Sequence, residues 1–490
     1  MSKITDRKKL CVLCDLCGVK ILDRKTQDMD TSENYRYPGS APFMDTDHDR
    51  SIFFGREEES ELVFYKIAGQ DLLVLFAKSG MGKSSLLNAG VMQKLREKNL
   101  IPFSIRLNNT EKSPLESIYT AIEETVKRTN IEYYEGKKDR LWTYFKTAEF
   151  WSDDTELTPV LIFDQFEEFF TPDHSSEAKE AFISQLSELT AKRMPKSLRD
   201  QQSQPGSTDE ISPEVKIIIV IREDYLAYLD EMSQKIPNIL ENRFRLMPLS
   251  RERATAAIEK PAALQNEELG SPAFKYQPQA IKAMLDFLCT RHERGKEIIG
   301  DEVESFQLQL LCSHLEEKIK QSGKEVIEEN DLGSATGMQK VLEDFYDRQI
   351  KSMGASLLKQ KKLRKLCEKG LISSGDKRLS LEKEQLKEKY QVTEKDLDEL
   401  VKCRLLRAEP RVGSVYYELS HDTLVKPIRD SQKKHANKKN KVISIAAGIL
   451  LLLIIAFAWG YREYQTIQIE SLYIKLETQL DDFDFEKAFF

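Results

Sequence analysis

Cysteine is scarce in this chain, with seven among 490 residues. The number is odd, and Cys289, Cys312, Cys367 and Cys403 stand singly. A disulfide framework is therefore not expected, and the usage fits a reducing compartment. Positive charge is not in excess: 74 Lys and Arg face 81 Asp and Glu, a net charge of −7, which argues against nucleic acid as the main partner. The N-terminal stretch, turn-rich to about Ser40, lacks the apolar core of a secretory signal. What remains is 40% hydrophobic and 32% charged, as suits globular domains with a well-solvated surface. The length allows roughly two to four of them.

The other three cysteines, Cys11, Cys14 and Cys17, cluster in KKLCVLCDLCGVK. A structural zinc site takes about four ligands, commonly as separated pairs, and the nearest histidine is His48. A locally packed or reactive segment is the better expectation.

Against these absences stands LLVLFAKSGMGKSSLLNAG, Leu72 to Gly90. Leu72 to Phe76 reads as a buried strand, a glycine-containing turn follows, and an apolar helix begins at Ser84 or Ser85. This is the strand–loop–helix setting of a phosphate-binding loop. Gly80 and Gly82, flanking Met81, let the backbone turn its N–H groups toward phosphate oxygens. Lys83 can reach the terminal phosphates and Ser84 can place its hydroxyl on a magnesium ion, while the helix start at Ser84 and Ser85 adds a positive dipole end. Ala77 replaces the usual first glycine and is small enough to be tolerated.

Two further apolar runs end in polar residues. PVLIFDQFEEFFT (Pro159 to Thr171) reads as a strand over Val160 to Phe163 closed by Asp164, a carboxylate placed to hold magnesium beside the phosphate loop. Gln165 can orient a water but cannot take its proton; Glu167 or Glu168 can, and either can also be a surface residue of the next helix. EVKIIIVIREDYL gives a strand over Ile217 to Ile221 ending in Arg222. A cation there sits at the carboxyl edge of a parallel sheet, where it can touch a terminal phosphate; the plainer alternative is a salt bridge with Glu223 or Asp224. Lys196 to Pro213, rich in Ser, Gln, Gly and Pro, reads as a long loop between these strands.

Near the C-terminus, VISIAAGILLLLIIAFAWG (Val442 to Gly460) carries no charge across 19 residues. As a helix it measures roughly 28 Å, close to a bilayer's hydrocarbon thickness. Lys433, Lys434, Lys438, Lys439 and Lys441 precede it, Trp459 and Tyr461 sit at its end, and an acidic tail follows. The expectation is a single-pass membrane protein with residues 1–441 in the cytoplasm, as in a bacterial inner membrane, and a short tail on the far side.

Taken in order, YPGSAPFMDTDHDRSIFFGREEE (Tyr37 to Glu59), AKSGMGKSSLLNAGV, VLIFDQFEEFFT, IREDYLAYL, LSRERATAAIEKPA and YYELSHDTLVKPI (Tyr416 to Ile428) resemble the signal-transduction NTPases with numerous domains, STAND, and within them the novel STAND group of bacterial proteins. The resemblance covers roughly residues 37–430. It implies that Phe54, Gly55, Arg56 and Glu57 enter the nucleotide domain against the adenine. It also implies that Pro261 packs on the base and that His421 holds the diphosphate in the resting state. Gln165 departs from the wider class, where many members carry an acid, and suits slow hydrolysis.

The expected fold is α/β: an N-terminal extension (1–36), a P-loop NTPase core with a parallel sheet (37–262), a helical lid (263–350), a winged-helix domain (351–430), a basic linker (431–441), the span (442–460) and a tail (461–490). Leu308, Leu311, Leu315 and Ile319 share one helical face in the lid. Three short helical patterns and a strand-rich end, RLLRAEP then GSVYYEL, make the winged-helix pattern. Its third helix, TEKDLDELVK, is acidic and would repel DNA. The resemblance implies an ATP/ADP-dependent, magnesium-using switch that responds to an unnamed trigger and forms homo-oligomers when activated. It implies signalling of the kind used in phage defence or stress response. A membrane-associated ATPase motor, with Arg243 or Arg245 as an arginine finger, and a non-hydrolysing nucleotide-stabilised scaffold are the alternatives. The roughly 36 residues before Tyr37 are too few for a separate effector enzyme.

Overall fold

The three apolar runs are strands in the computed structural model. It describes residues 35–481 apart from 108–111, 130, 171–174, 193, 196–197, 199–211, 294–295, 355, 374, 376–377, 404, 412–413 and 421–423. With two further segments they form β1 (Leu72–Ala77), β2 (Leu100–Ile105), β3 (Thr158–Phe163), β4 (Lys216–Arg222) and β5 (Arg243–Arg245). They lie in the order β2-β3-β4-β1-β5, and every pairing is parallel. Val74, Phe103, Leu161 and Ile219 face one core, whereas Leu73, Leu75, Val160, Ile162, Ile218 and Val220 face the other. Burial on both faces is why these strands are continuous apolar runs rather than alternating ones.

Helices cover both faces. On one lie α1 (Glu57–Gly69), through Val63, Phe64 and Ile67, and α2 (residues 83–96), through Leu86, Leu87, Val91 and Leu95. α2 passes through a π-helical stretch, Leu86–Val91. On the other face lie α3 (Pro114–Arg128) and α4 (Ser176–Thr190), through Ile118, Ile122, Phe182 and Leu186. α3 starts where local chemistry dictates: Ser113 and Glu116 form a capping box, with Pro114 at the first helical position.

A second core joins α5 (Arg251–Ala263), α6 (Pro278–Cys289), α7 (Ser305–Ser322) and α8 (Ser334–Ser352). The expected face of α7 is real: Leu308, Leu311, Leu315 and Ile319 are all buried in it. Tyr37, from the N-terminal segment, is buried in the same core. A third core contains α9 (Leu357–Lys365), α10 (Lys383–Tyr390) and α11 (Glu394–Lys402) with an antiparallel sheet. That sheet is β6 (Leu381–Glu382), β7 (Leu406–Arg411) and β8 (Ser414–Leu419), in the order β6-β8-β7.

Residues 425–481 form one long helix, α12. Here the expectation of a single-pass membrane protein is overturned: among the described residues, no helix is long and apolar enough to cross a membrane. The side chains of 436–447, where the expected span begins, lie outside the described residues. Within α12, the charged residues Arg462 and Glu463 follow the run almost directly. The cysteine cluster, most of the 196–213 loop, His421 and residues 482–490 also lie outside the described residues.

Candidate functional site

Strand register assembles the site. β1 and β4 pair with Ala77 opposite Arg222, and β2 and β3 pair with Ile105 opposite Phe163. The residues that follow, the glycine loop, Arg106 and Asp164, therefore emerge beside Arg222 at one carboxyl edge, where parallel sheets bind ligands.

Gly80 and Gly82 take φ of 79° and 91°, a left-handed conformation that glycine adopts without steric cost. A Cβ at Gly82 meets nothing within 4 Å, so the loop faces open space there. Met81 is buried, and its carbonyl accepts from Arg56 Nη2 at 3.3 Å. The Ser85 hydroxyl accepts from the Phe43 backbone N–H at 3.2 Å, so Ser85 ties the loop to the N-terminal segment. Lys83 is half-buried and donates to the Ala77 carbonyl at 3.2 Å. Burial lowers its pKa, and the carboxylates of Glu167 and Asp164 act in the opposite sense.

Asp164 is the hub. The Ser84 hydroxyl lies 3.0 Å from Oδ1 and 2.9 Å from Oδ2. The Gln165 backbone N–H donates to Oδ1 at 3.0 Å, and Arg106 Nη2 donates to Oδ2 at 3.2 Å. Gln165 has φ of 58°, uncommon for a residue with a side chain, at the point where the chain turns from β3 into the 3-10 turn Phe166–Phe170. That turn anchors itself with Phe166 and Phe169, both 1% exposed, which leaves Glu167 and Glu168 half-buried at the site. Glu167 accepts from the Arg222 backbone N–H at 3.3 Å. Burial raises its pKa, and Lys83 and Arg222 oppose the rise. Burial pushes the Glu168 carboxyl up to about 8, with Arg106 opposing. Arg222 is buried, pairs with Asp224 and lies 5.2 Å from the Tyr225 ring. The salt bridge weighed from sequence thus exists, and the same arginine still sits at the strand end beside Lys83. Of the two arginines weighed as a finger, Arg245 pairs with Glu223 of its own chain at 2.6 Å, and Arg243 lies on the same edge strand.

Gly55 and Pro261 lie at another side of the loop. Gly55 has φ of 84°, and a Cβ there would fall 2.4 Å from the Arg253 carbonyl of α5. Arg56, 4% exposed, donates to Met247 O and Glu59 at 2.8 Å each, as well as to Met81 O. Lys260 lies 5.4 Å from the Phe54 ring. Pro261 is buried in the last turn of α5. The structure therefore joins Gly55, Arg56 and the loop, and sets Pro261 on the helix that packs on Gly55.

Two residues escape the sequence reading. Arg106 follows β2 as Asp164 follows β3, and that parallel is the only sequence signal for it. Arg36 is 1% exposed; its guanidinium donates to Pro261 O at 2.7 Å and to Leu264 O at 2.9 Å. Nothing local marks it, because its partners are over 200 residues away.

The donor set fits a nucleoside phosphate with a hard divalent cation. A hydroxyl and a carboxylate lie side by side, a lysine stands at the loop, and Glu168 Oε2 is buried with no hydrogen-bond partner among the described residues. Among the described residues there is no cluster of three or more His, Cys, Asp or Glu able to hold a metal.

No curated protein matches the chain. Solved structures similar to it include the ORC2 protein of Aeropyrum pernix in its ADPNP-ADP complexes, at 14% identity and a TM-score of 0.39, covering 78% of this chain and 95% of that one. A Walker-type ATPase of Pyrococcus abyssi matches at 14% identity and a TM-score of 0.39, covering 79% and 98%. The model of the family described as Novel STAND NTPase 1 matches residues 37–438, most of the chain. The chain is therefore a member of the novel STAND NTPase 1 family.

Proposed function

We propose that this protein is a nucleotide-dependent switch that binds ATP and ADP with magnesium, hydrolyses ATP slowly and forms homo-oligomers in its ATP state. The observation that carries this reading is the meeting of Ser84 with Asp164 at 2.9–3.0 Å beside Lys83. A hydroxyl and a carboxylate so paired would hold magnesium, which supplies charge neutralisation between phosphates. The backbone from Gly80 to Ser84 cradles the phosphates, and Lys83 reaches the outermost. Glu167, nearest Lys83 and Arg222, is the group placed to take a proton from a water. Gln165 lacks that capacity, and since burial raises the pKa of both Glu167 and Glu168, it is the nearness of Lys83 and Arg222 that distinguishes the first. Arg222, at the end of β4, reports a terminal phosphate.

Switching needs elements that feel the nucleotide differently in two states. β7 lies against the 3-10 turn that carries Glu167 and Glu168, so the C-terminal sheet touches the catalytic segment. We read residues 357–419 as a winged helix and α6–α8 as a lid, with Pro261 on the base and His421 toward the diphosphate. Gly55 and Arg56 complete the base side. Signalling in defence or stress is the biological setting that family membership suggests.

The test uses the full chain. Its co-purifying nucleotide is identified, then hydrolysis and mass are measured with ADP and with a non-hydrolysable ATP analogue, beside Lys83→Ala. Bound ADP, slow turnover and assembly only with the ATP analogue are expected, and all are lost in Lys83→Ala. Rapid turnover without assembly would instead favour a motor, and Lys83→Ala behaving as wild type would overturn the reading.

A further inference from the structure

Asp164 has more donors than a magnesium-holding carboxylate can keep. Its side chain is 12% exposed, and both oxygens are engaged: Oδ1 by Ser84 and the Gln165 N–H, Oδ2 by Ser84 and Arg106. Three donors thus compete with any cation, but they are not equally free to leave. The Gln165 N–H belongs to the adjoining peptide. Ser84 is itself the other cation ligand and turns with it. Arg106 alone is a long side chain, 46% exposed, able to swing into solvent. Register fixes it there: Ile105 pairs with Phe163, and the Asp164 N–H donates to the Ile105 carbonyl at 3.0 Å, so the two side chains leave neighbouring strands at the same level.

Resting on the reading of this edge as a nucleotide site, we propose that Arg106 is a positioning residue that holds the outer oxygen of Asp164 in competition with magnesium. It thereby sets the magnesium concentration at which nucleotide is tightly held. The guanidinium is a fixed positive charge at hydrogen-bond distance from the carboxylate. While it stays, Asp164 offers less negative charge to a second cation; when it swings away, the Ser84–Asp164 pair is complete. Lys83, on the phosphate loop, feels the charge of Asp164 as well.

The experiment measures thermal stabilisation of the full chain by ADP across a magnesium series, for wild type, Arg106→Gln and Arg106→Lys, with an EDTA arm. Removing a charge at this range from a partly solvated pair is expected to lower the magnesium midpoint about five-fold in Arg106→Gln. Arg106→Lys, which keeps the charge, should stay close to wild type, and ADP stabilisation in EDTA should be the same for all three. A midpoint for Arg106→Gln within two-fold of wild type, or a higher one, overturns the inference while leaving the nucleotide reading intact. A wild-type chain that ADP does not stabilise at any magnesium concentration overturns that reading and the inference with it.

Discussion

Arg36 and Pro261 stand 225 residues apart in sequence, yet the Arg36 guanidinium donates to the Pro261 carbonyl at 2.7 Å. The same guanidinium reaches Leu264 O and the backbone and side-chain oxygens of Ser271, while the Arg36 N–H donates to Glu316. The N-terminal segment is thus riveted to the end of α5, on the turn that carries the proline read as the base contact. Pro261 has no N–H, and its carbonyl lies in a helix's last turn, so an outside donor is what satisfies it.

Arg36→Met is expected to lose about 3–5 kcal/mol of stability, the cost of breaking a buried charged network on one side. Chemical denaturation of the full chain measures it. Lys in its place should recover only part, since one ammonium cannot reproduce a fork that meets several oxygens.

Gly55→Ala places a Cβ 2.4 Å from the Arg253 carbonyl at φ of 84°. The left-handed backbone alone costs roughly 1–3 kcal/mol, and the close approach must push α1 from α5. A lower thermal midpoint and weaker ADP stabilisation are expected together. A normal midpoint with normal ADP response would show that α5 moves aside freely.

Glu167→Gln is expected to lower hydrolysis about 100-fold or more, the scale of a lost general base, with ADP binding nearly unchanged. Glu168→Gln should cost far less. Equal losses in single-turnover assays would remove the distinction drawn between the two.

Glu168 also makes stability depend on pH. Its folded value is raised from 4.5 to about 8 by burial. The folded state therefore holds this proton more tightly than the unfolded one. The contribution is full below about pH 4.5 and is lost as pH rises through about 8. Glu168→Gln stays neutral throughout, so its nucleotide-free melting midpoint should gain on wild type between about pH 5 and pH 8. A constant difference across that window contradicts the burial.

Much of the core was legible residue by residue. Leu72–Phe76, Val160–Phe163 and Ile217–Ile221 announce strands because a parallel strand buried on both faces has no polar positions. Gly80, Gly82, Lys83 and Ser84 announce a phosphate loop because its backbone needs left-handed turns and its chemistry needs a cation and a hydroxyl. Thr393 and Asp396 mark the start of α11 by a capping box, a purely local bond pair. What the chain's own order determined is therefore local: periodicity, turn residues, caps and the family they spell.

The tertiary structure alone decided which charges meet. Arg106 belongs to the site only because β2 pairs with β3 in one register, and a shift of one residue would point it to the other face. Arg36 reaches Pro261 only because the second core swallows Tyr37 beside it. Glu167 and Glu168 are adjacent and alike in sequence; the 3-10 turn that buries Phe166 and Phe169 sets one toward Lys83 and Arg222 and the other toward Arg106. The apolar run at Val442–Gly460 shows the converse, since composition suggested a span, whereas among the described residues no helix is long and apolar enough to cross a membrane. Pairings between distant residues are set by packing and strand register, and neither is written in a window of neighbours.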